Sequence, residues 1–490
     1  MTESRETTTE RGLRRVCIDP LSRVEGHGKV TLLLDDSDRV VEARLHITEF
    51  RGFEKFIQGR PIEEVPILVQ RLCGICPVSH LLAATKALDQ LAGVEQIPPA
   101  AEKQRRLLHY GQVLQSHALH FFYLAAPDLL FGFDSEAERR NVMALIEQHR
   151  EIALNGIRIR KYGQHIIRTI TGKRIHGTGP IPGGMNKPLG RSERDLLLKE
   201  LEPIIPWCQQ AVALIKGIYL ENPEYQNRFA IIPSNFLSLV GQAGEHELYH
   251  GTLRARDVSG QPIFDQLDYR EYGQYLREEV KPWSYMKFPY LRSLGNEKGW
   301  YRVGPLARIN NCDRIGTPLA EAARQEFFRQ AGGSPVHASL AYHWTRMIEA
   351  LHCAEAIQEL LQDRELLDSE VCTPGTRPGR EGIGVIEAPR GTLFHHYRVN
   401  RQGVVEKANL IVSTTSNNRA MNEAIRDVAA RYLNGRKLTP ELLNHIEVAI
   451  RAYDPCLSCA THALGKMPLR LELYDGEERL IDTLTKPARN

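Results

Sequence analysis

Two cysteine pairs, Cys73-Gly74-Ile75-Cys76 and Cys456-Leu457-Ser458-Cys459, stand near opposite ends of a chain of 490 residues. The Cys-x-x-Cys spacing lets two sulfurs converge on one metal ion or on each other. A zinc ribbon separates its two pairs by about 15 to 20 residues, far fewer than lie between these. A thioredoxin-like redox pair needs one such motif and leaves the second unexplained. A cysteine-ligated iron–sulfur cluster stays open on ligand count, as does another soft-metal site. The chain has nine cysteines, and an odd number on a long chain argues against a disulfide framework. Cys17, Cys208, Cys312, Cys353 and Cys372 stand alone and read as small buried apolar side chains.

The elements around these pairs follow from pattern. Val30–Leu34 and Val40–Ile47 read as strands about the turn Asp35-Asp36-Ser37-Asp38. Cys76-Pro77 opens a helix running through Leu88, with proline in its first turn. The first pair therefore sits at a helix N-terminus, where the dipole favours thiolate, the metal-binding form. Further helices are expected at about 100–125, 143–170, 194–220, 336–364, 417–433 and 439–452, the last leading into Tyr453-Asp454-Pro455-Cys456. Thr373–Arg390, rich in Gly, Pro and Arg, is expected to be a long ordered loop. The fold class predicted is mainly α with a small N-terminal β-sheet, and no parallel-sheet rhythm is present.

Composition excludes several classes. With 42% hydrophobic and 25% charged residues, the chain is neither disordered nor fibrous. Its length fits about three domain-sized units or one large multi-lobed domain. A net charge of +3 from 63 basic and 60 acidic residues is no nucleic-acid footprint. No uncharged apolar run approaches about 18 residues, so no membrane span is expected. The polar N-terminus lacks the apolar region of a secretory signal, and a cytoplasmic location is expected. Gly177-Thr178-Gly179-Pro180-Ile181-Pro182-Gly183-Gly184 has the wrong spacing for a dinucleotide fingerprint, and no P-loop is present. An NAD site is therefore not expected on this chain.

Four motifs in order, Arg23-Val24-Glu25-Gly26-His27, Phe50-Arg51-Gly52-Phe53-Glu54, Arg71-Leu72-Cys73 through His80, and Asp454-Pro455-Cys456 through His462, resemble the large subunit of nickel–iron hydrogenases. The resemblance spans essentially the whole chain. Gln115-Ser116-His117-Ala118-Leu119-His120-Phe121-Phe122 and Gly172-Lys173-Arg174-Ile175-His176 are most similar to the cytoplasmic, bidirectional, NAD-reducing group.

The resemblance implies the family's fold, with a central bundle of long helices, and roles for particular residues. Cys73 and Cys456 would be terminal nickel ligands. Cys76 and Cys459 would bridge nickel to an iron carrying cyanide and carbon monoxide. His80, one turn after Cys76, would hydrogen-bond a bridging sulfur. Heterolytic cleavage of H2 releases a proton at the metal, so a base must be poised there. By resemblance that base is Cys456, with Glu25 as the proton relay. Arg390, in Glu387-Ala388-Pro389-Arg390-Gly391, matches the arginine over the open metal face, where a permanent cation acts electrostatically. Pro389, Ser413, Thr414 and Asp454 fall around the iron's diatomic ligands. Glu54, the Leu410 carbonyl and His462 match a structural magnesium site, with carboxylate and carbonyl ligands suited to a hard cation. Ser116 departs from the aspartate of many membrane-bound relatives, which removes one carboxylate above the site.

Three regions follow: 1–60, a sheet with proton-relay and magnesium-site residues; 61–462, a helical body with both cysteine pairs; and 463–490, a C-terminal extension. The resemblance implies that an endoprotease cuts after His462 once nickel is inserted, with nickel-insertion factors as further partners. It also implies an iron–sulfur small subunit and a diaphorase holding FMN and NAD. Other readings differ in class: an H2 sensor with little turnover, a non-catalytic scaffold like the quinone-site subunit of NADH:quinone oxidoreductase, or a structural zinc protein. The intact cysteine pairs oppose the scaffold.

Overall fold

Long helices carry both cysteine pairs, and small sheets brace them from the sides. The computed structural model describes residues 3–8, 14–37, 39–136, 138–376, 378–434, 439–462, 469–474 and 480–486. An antiparallel sheet of β1 (Glu3–Thr8), β2 (Arg14–Asp19), β3 (Gly28–Leu34) and β4 (Val40–Ile47) opens the chain in that order. The turn between β3 and β4 is the one predicted, and the register runs from Gly28↔Ile47 to Leu34↔Val40. Val30, Leu32 and Leu34 alternate inward, as a half-buried strand requires.

The helices that matter for the site are α1 (Pro77–Leu91), α2 (Pro99–Leu119), α3 (Arg150–Thr171), α4 (Ile204–Glu221), α5 (Ala341–Gln362), α6 (Asn418–Val428) and α7 (Pro440–Ala452). α5 is buried without interruption from Ala341 to Ile357, so it occupies the bundle centre. The helix expected at 194–220 is two, Arg191–Leu201 and α4, parted at Glu202-Pro203 because proline has no N–H to continue the ladder. The helix expected at 143–170 is also divided, at His149. α2 passes through a π-helical stretch, His120–Ala125, before a further short helix.

Two further sheets of three or more strands were not expected. In one, β5 (Asn235–Val240), β6 (Thr252–Arg256), β7 (Pro262–Leu267) and β8 (Tyr301–Arg302) lie in the order β8-β5-β6-β7. The other is a meander of β9 (Glu381–Ala388), β10 (Gly391–Val399) and β11 (Val405–Ile411). β9 corrects the long loop expected over Thr373–Arg390. Its glycines are there for close packing rather than for turning. A Cβ on Gly384 would stand 1.9 Å from the Ala83 carbonyl oxygen of α1, and one on Gly382 2.2 Å from that of Ala87. The strand thus lies directly on the helix backbone that follows Cys76.

Cys208, Cys312 and Cys353 are buried as expected, but Cys372 is exposed and Cys17 only partly covered. Cys372 forms a lone bridge with Gly184 at the protein's edge, where no layer covers it. Among the described residues no helix is long and apolar enough to cross a membrane. In the C-terminal extension, β12 (Leu469–Tyr474) pairs antiparallel with β13 (Leu480–Lys486); 463–468, including the expected cleavage junction, lie outside the described residues.

Gly384→Ala is expected to push β9 off α1 at a cost of roughly 1–3 kcal/mol, the usual penalty for overpacking. A lowered thermal midpoint together with reduced nickel incorporation would show that this contact holds the first cysteine pair in place.

Candidate metal centre

Cys73 follows the one-turn helix Gln70–Leu72, and Cys76 occupies the N-cap position of α1. The second pair follows α7, where Asp454 takes a left-handed conformation (φ 53°) that turns the chain inward before Pro455. All four sulfurs are buried and lie within 4.8 Å of one another. The separations are 3.1 Å for Cys73–Cys456, 3.0 Å for Cys456–Cys459 and 3.8 Å for Cys76–Cys459. Cys73 Sγ accepts from the backbone N–H groups of Ile75 and Cys76 at 3.2 and 3.3 Å. Burial pushes the Cys456 and Cys459 thiols well up, while hydrogen bonds from Cys456, Cys459, Cys73 and His80 favour thiolate at Cys76. A protein interior resists four clustered anions, and a soft cation among them removes that resistance.

Glu25 meets this cluster from the N-terminal side. Its carboxylate is half-buried and lies 3.0 Å from Cys456 Sγ and 3.1 Å from the Ser458 N–H. A backbone bridge pairs Glu25 with Cys456, and the Leu457 N–H donates to the Glu25 carbonyl at 2.9 Å. Gly26 (φ +84°) makes the approach possible, because a Cβ there would stand 2.6 Å from Ser458 N. Asp128 and Glu447 anchor the same loop: Arg23 and Arg451 pair with Asp128, and Ser22 donates twice to Glu447 at 2.8 Å.

Beside the cluster lies a small cavity of about 10 Å³, lined by Cys76, Cys456, Cys459, Pro389, Arg390 and Thr414 among others. Arg390 donates to the Asp454 carbonyl (2.6 Å), to Asp454 Oδ1 (3.0 Å) and to Ser116 Oγ (3.4 Å). Although burial opposes its charge, Asp454 and the cysteine sulfurs hold the guanidinium protonated. The Thr414 hydroxyl accepts from the Cys456 N–H at 3.0 Å, so its proton is free to donate. The Ser413 hydroxyl is committed to the Gly391 carbonyl at 2.6 Å. An apolar cavity with the Thr414 and Ser79 hydroxyls available and a fixed cation suits small polarised ligands on a metal held by Cys76 and Cys459.

Glu54 and His462 are both buried, and the charge of Lys287 acts on each. Among the described residues neither ring nitrogen of His462 has a hydrogen-bond partner, although the ring is buried. Burial pushes His462 down to about 3, opposed by the nearby Cys459 carbonyl, which lies outside bonding geometry. A buried neutral imidazole with two unsatisfied nitrogens has the chemistry of a cation ligand. Glu54 is bound by Lys287 at 3.1 and 3.2 Å and by the Leu410 N–H at 2.8 Å. Burial raises the Glu54 carboxyl despite Lys287. Leu410 thus reaches this carboxylate through its N–H.

Models of two protein families match the chain: nickel-dependent hydrogenase over residues 51–134 and 237–462, and HoxL-like over 15–50. The chain belongs to the nickel-dependent hydrogenases. It is similar to the NAD-reducing hydrogenase HoxS subunit beta of Cupriavidus necator, at 46% identity over 96% of this chain and 99% of that one. Sulfhydrogenase 2 subunit alpha of Pyrococcus furiosus is 29% identical over 91% of this chain and 98% of its own. Among solved structures, an NAD+-reducing [NiFe]-hydrogenase in the H2-reduced state has a TM-score of 0.90 and 56% identity, covering 93% of this chain and all of that one. The Ni-Fe-Se hydrogenase of D. vulgaris Hildenborough, at 23% identity and a TM-score of 0.74 over 92% of this chain and 100% of its own, shares the fold. This chain is thus a hydrogenase large subunit with the mainly helical fold expected.

Sequence reasoning missed the charged core behind the hydrogenase site. Arg308 is buried and donates to Glu349 Oε1 (2.6 Å), Glu387 Oε2 (2.8 Å) and the Ala388 carbonyl (3.0 Å), which fixes the turn that presents Pro389 and Arg390. His117 and His246 bind the same Glu349 at 2.6 and 2.9 Å. The available signal was Arg346 and Glu349 inside an otherwise apolar stretch of α5, a place where charge must be paired. Lys287 and Glu278, beside Glu54, were missed for want of any motif.

Burial pushes His109 and His117 down to about 4 and His352 to about 3. In the unfolded chain each titrates near 6.5, so below that pH unfolding takes up protons. Stability should be full above pH about 6.5 and fall by roughly 1.4 kcal/mol per pH unit per histidine until the folded values are reached. Denaturant titrations at pH 7.0 and 5.5 would show this drop, and His109→Gln should reduce it.

Proposed function

We propose that this chain is the H2-splitting subunit of an NAD-linked nickel–iron hydrogenase, interconverting H2 with protons and electrons. The observation that carries this reading is the convergence of four buried thiols with a carboxylate 3.0 Å from Cys456. Cys73 and Cys456 would hold nickel, and Cys76 and Cys459 would hold nickel and iron together, the iron's cyanide and carbon monoxide ligands facing Pro389 and Thr414. When bound, this pair supplies the Lewis acidity and redox capacity for heterolytic cleavage of H2.

The chain's own residues then manage charge and protons. Cys456 Sγ takes the first proton, and Glu25, already within hydrogen-bond reach, carries it to the surface. Arg390, locked by Asp454, holds a fixed positive charge over the cavity and orients what enters it. Glu54, Leu410 and His462 would bind magnesium and so tie the C-terminal segment to the strand Val405–Ile411. All four clustered cysteines serve the metal pair, so electrons leave through an iron–sulfur small subunit. A diaphorase with FMN would complete the route to NAD, as the name of the Cupriavidus relative suggests. Residues 463–490 act as a maturation extension, cut after His462 by an endoprotease following nickel insertion, and the assembly works in the cytoplasm.

Processed subunit purified with its small partner should contain one nickel per large subunit, iron beyond what the partner's iron–sulfur clusters hold, and show sharp infrared bands in the cyanide and carbonyl region. Zinc, or no metal, in a chain already cut after His462 would overturn the reading. Glu25→Gln keeps the shape but cannot carry a proton. It is expected to lower H2/D2 exchange by about 100-fold or more with metal content and infrared bands unchanged.

A further inference from the structure

His80 on α1 faces β10, and three buried rings join there. His80 Nδ1 lies 3.0 Å from His395 Nε2, and His395 Nδ1 lies 2.5 Å from the Tyr397 hydroxyl. His395 and Tyr397, two residues apart on one strand, point to the same side. His395 and Tyr397 have no exposed surface, and His80 only 1%. His80 also lines the cavity that Cys76 and Cys459 line, and with Nδ1 already taken by His395, Nε2 is the nitrogen left for a partner there.

Proton placement follows from counting. Tyr397 has one O–H and, among the described residues, one partner, so leaving that O–H undonated would bury an unsatisfied donor. The hydroxyl therefore donates to His395 Nδ1. A neutral imidazole carries one N–H, which must then sit on His395 Nε2 and donate to His80 Nδ1. The same rule puts the His80 proton on Nε2, the nitrogen left for the cavity.

We infer that Tyr397 and His395 are positioning residues that fix the tautomer of His80 and reserve its remaining N–H for the cavity lined by the Cys76 and Cys459 sulfurs. The inference rests on the nickel–iron reading for its consequence, though not for its geometry. A donor withdraws electron density from a bridging sulfur and hence from the iron, as outer-shell partners of metal ligands do. Losing it should move the iron's carbonyl and cyanide bands to lower wavenumber.

Two measurements test this. In the metal-free full-length chain with 15N-labelled histidine, the side-chain shifts of His80 and His395, assigned by loss of their signals in His80→Gln and His395→Gln, should report Nε2 protonation of both rings. A proton on Nδ1 of either ring would overturn the inference, whatever the metal content. In the processed, metal-loaded complex, His395→Phe should lower the infrared bands by several wavenumbers. Tyr397→Phe, which frees the tautomer, should split or broaden them. His395→Gln, which keeps an N–H toward His80, should return them to the wild-type position. A filling role alone would leave the phenylalanine variants unshifted, and unshifted bands at full nickel and iron content would overturn the proposed effect on the metals. If a phenylalanine variant fails to load metal, the 15N result on the metal-free chain decides. A wild-type complex without nickel and iron would instead sink the function proposed above while leaving the hydrogen-bond chain intact.

Discussion

Four sulfurs held within 4.8 Å of one another in a dry interior cannot all be anionic unless a cation joins them. The rest of the chain is arranged around that constraint. Helix α1 ends its N-terminus on one pair, and the turn after α7 delivers the other. The Glu25 loop closes over both through backbone bonds to Leu457 and Ser458. Each of these segments alone would leave its thiols solvated and protonated. Together they create a site whose charge balance only a metal completes.

The surroundings follow the same logic one layer out. Buried charges are costly unless paired, and here they are paired in ways that hold backbone turns. Arg308 ties Glu349 and Glu387 to the carbonyl of Ala388, so the turn bearing Arg390 cannot drift. Asp128 and Glu447 do the same for the loop that carries Glu25. These networks convert electrostatic necessity into ångström-scale placement at the cavity.

Much of the centre was legible without coordinates because its chemistry needs particular residue types in short motifs. Cys73, Cys76, Cys456, Cys459, Glu25, Arg390 and Asp454, all singled out from the sequence, are brought together in the fold. Ser116, noted as a departure, lies 3.4 Å from the very arginine that an aspartate would have paired with. The strand Glu381–Ala388 was not legible. Glycines that serve close packing against α1 have the same composition as glycines that serve a loop, and only the neighbouring backbone tells them apart.

The sequence by itself determined the two cysteine pairs and the mainly helical frame, since spacing, proline placement and apolar periodicity are local properties. It could not state that His395 and Tyr397 reach His80, that Lys287 sits on Glu54, or that Arg308 locks the Arg390 turn. Those are contacts between residues far apart in the chain, carried by no motif, and they exist only once packing has brought separate helices and strands into register. Tertiary structure alone decided which of the many buried polar groups satisfy one another, because that pairing depends on distances of about 3 Å that no spacing rule encodes.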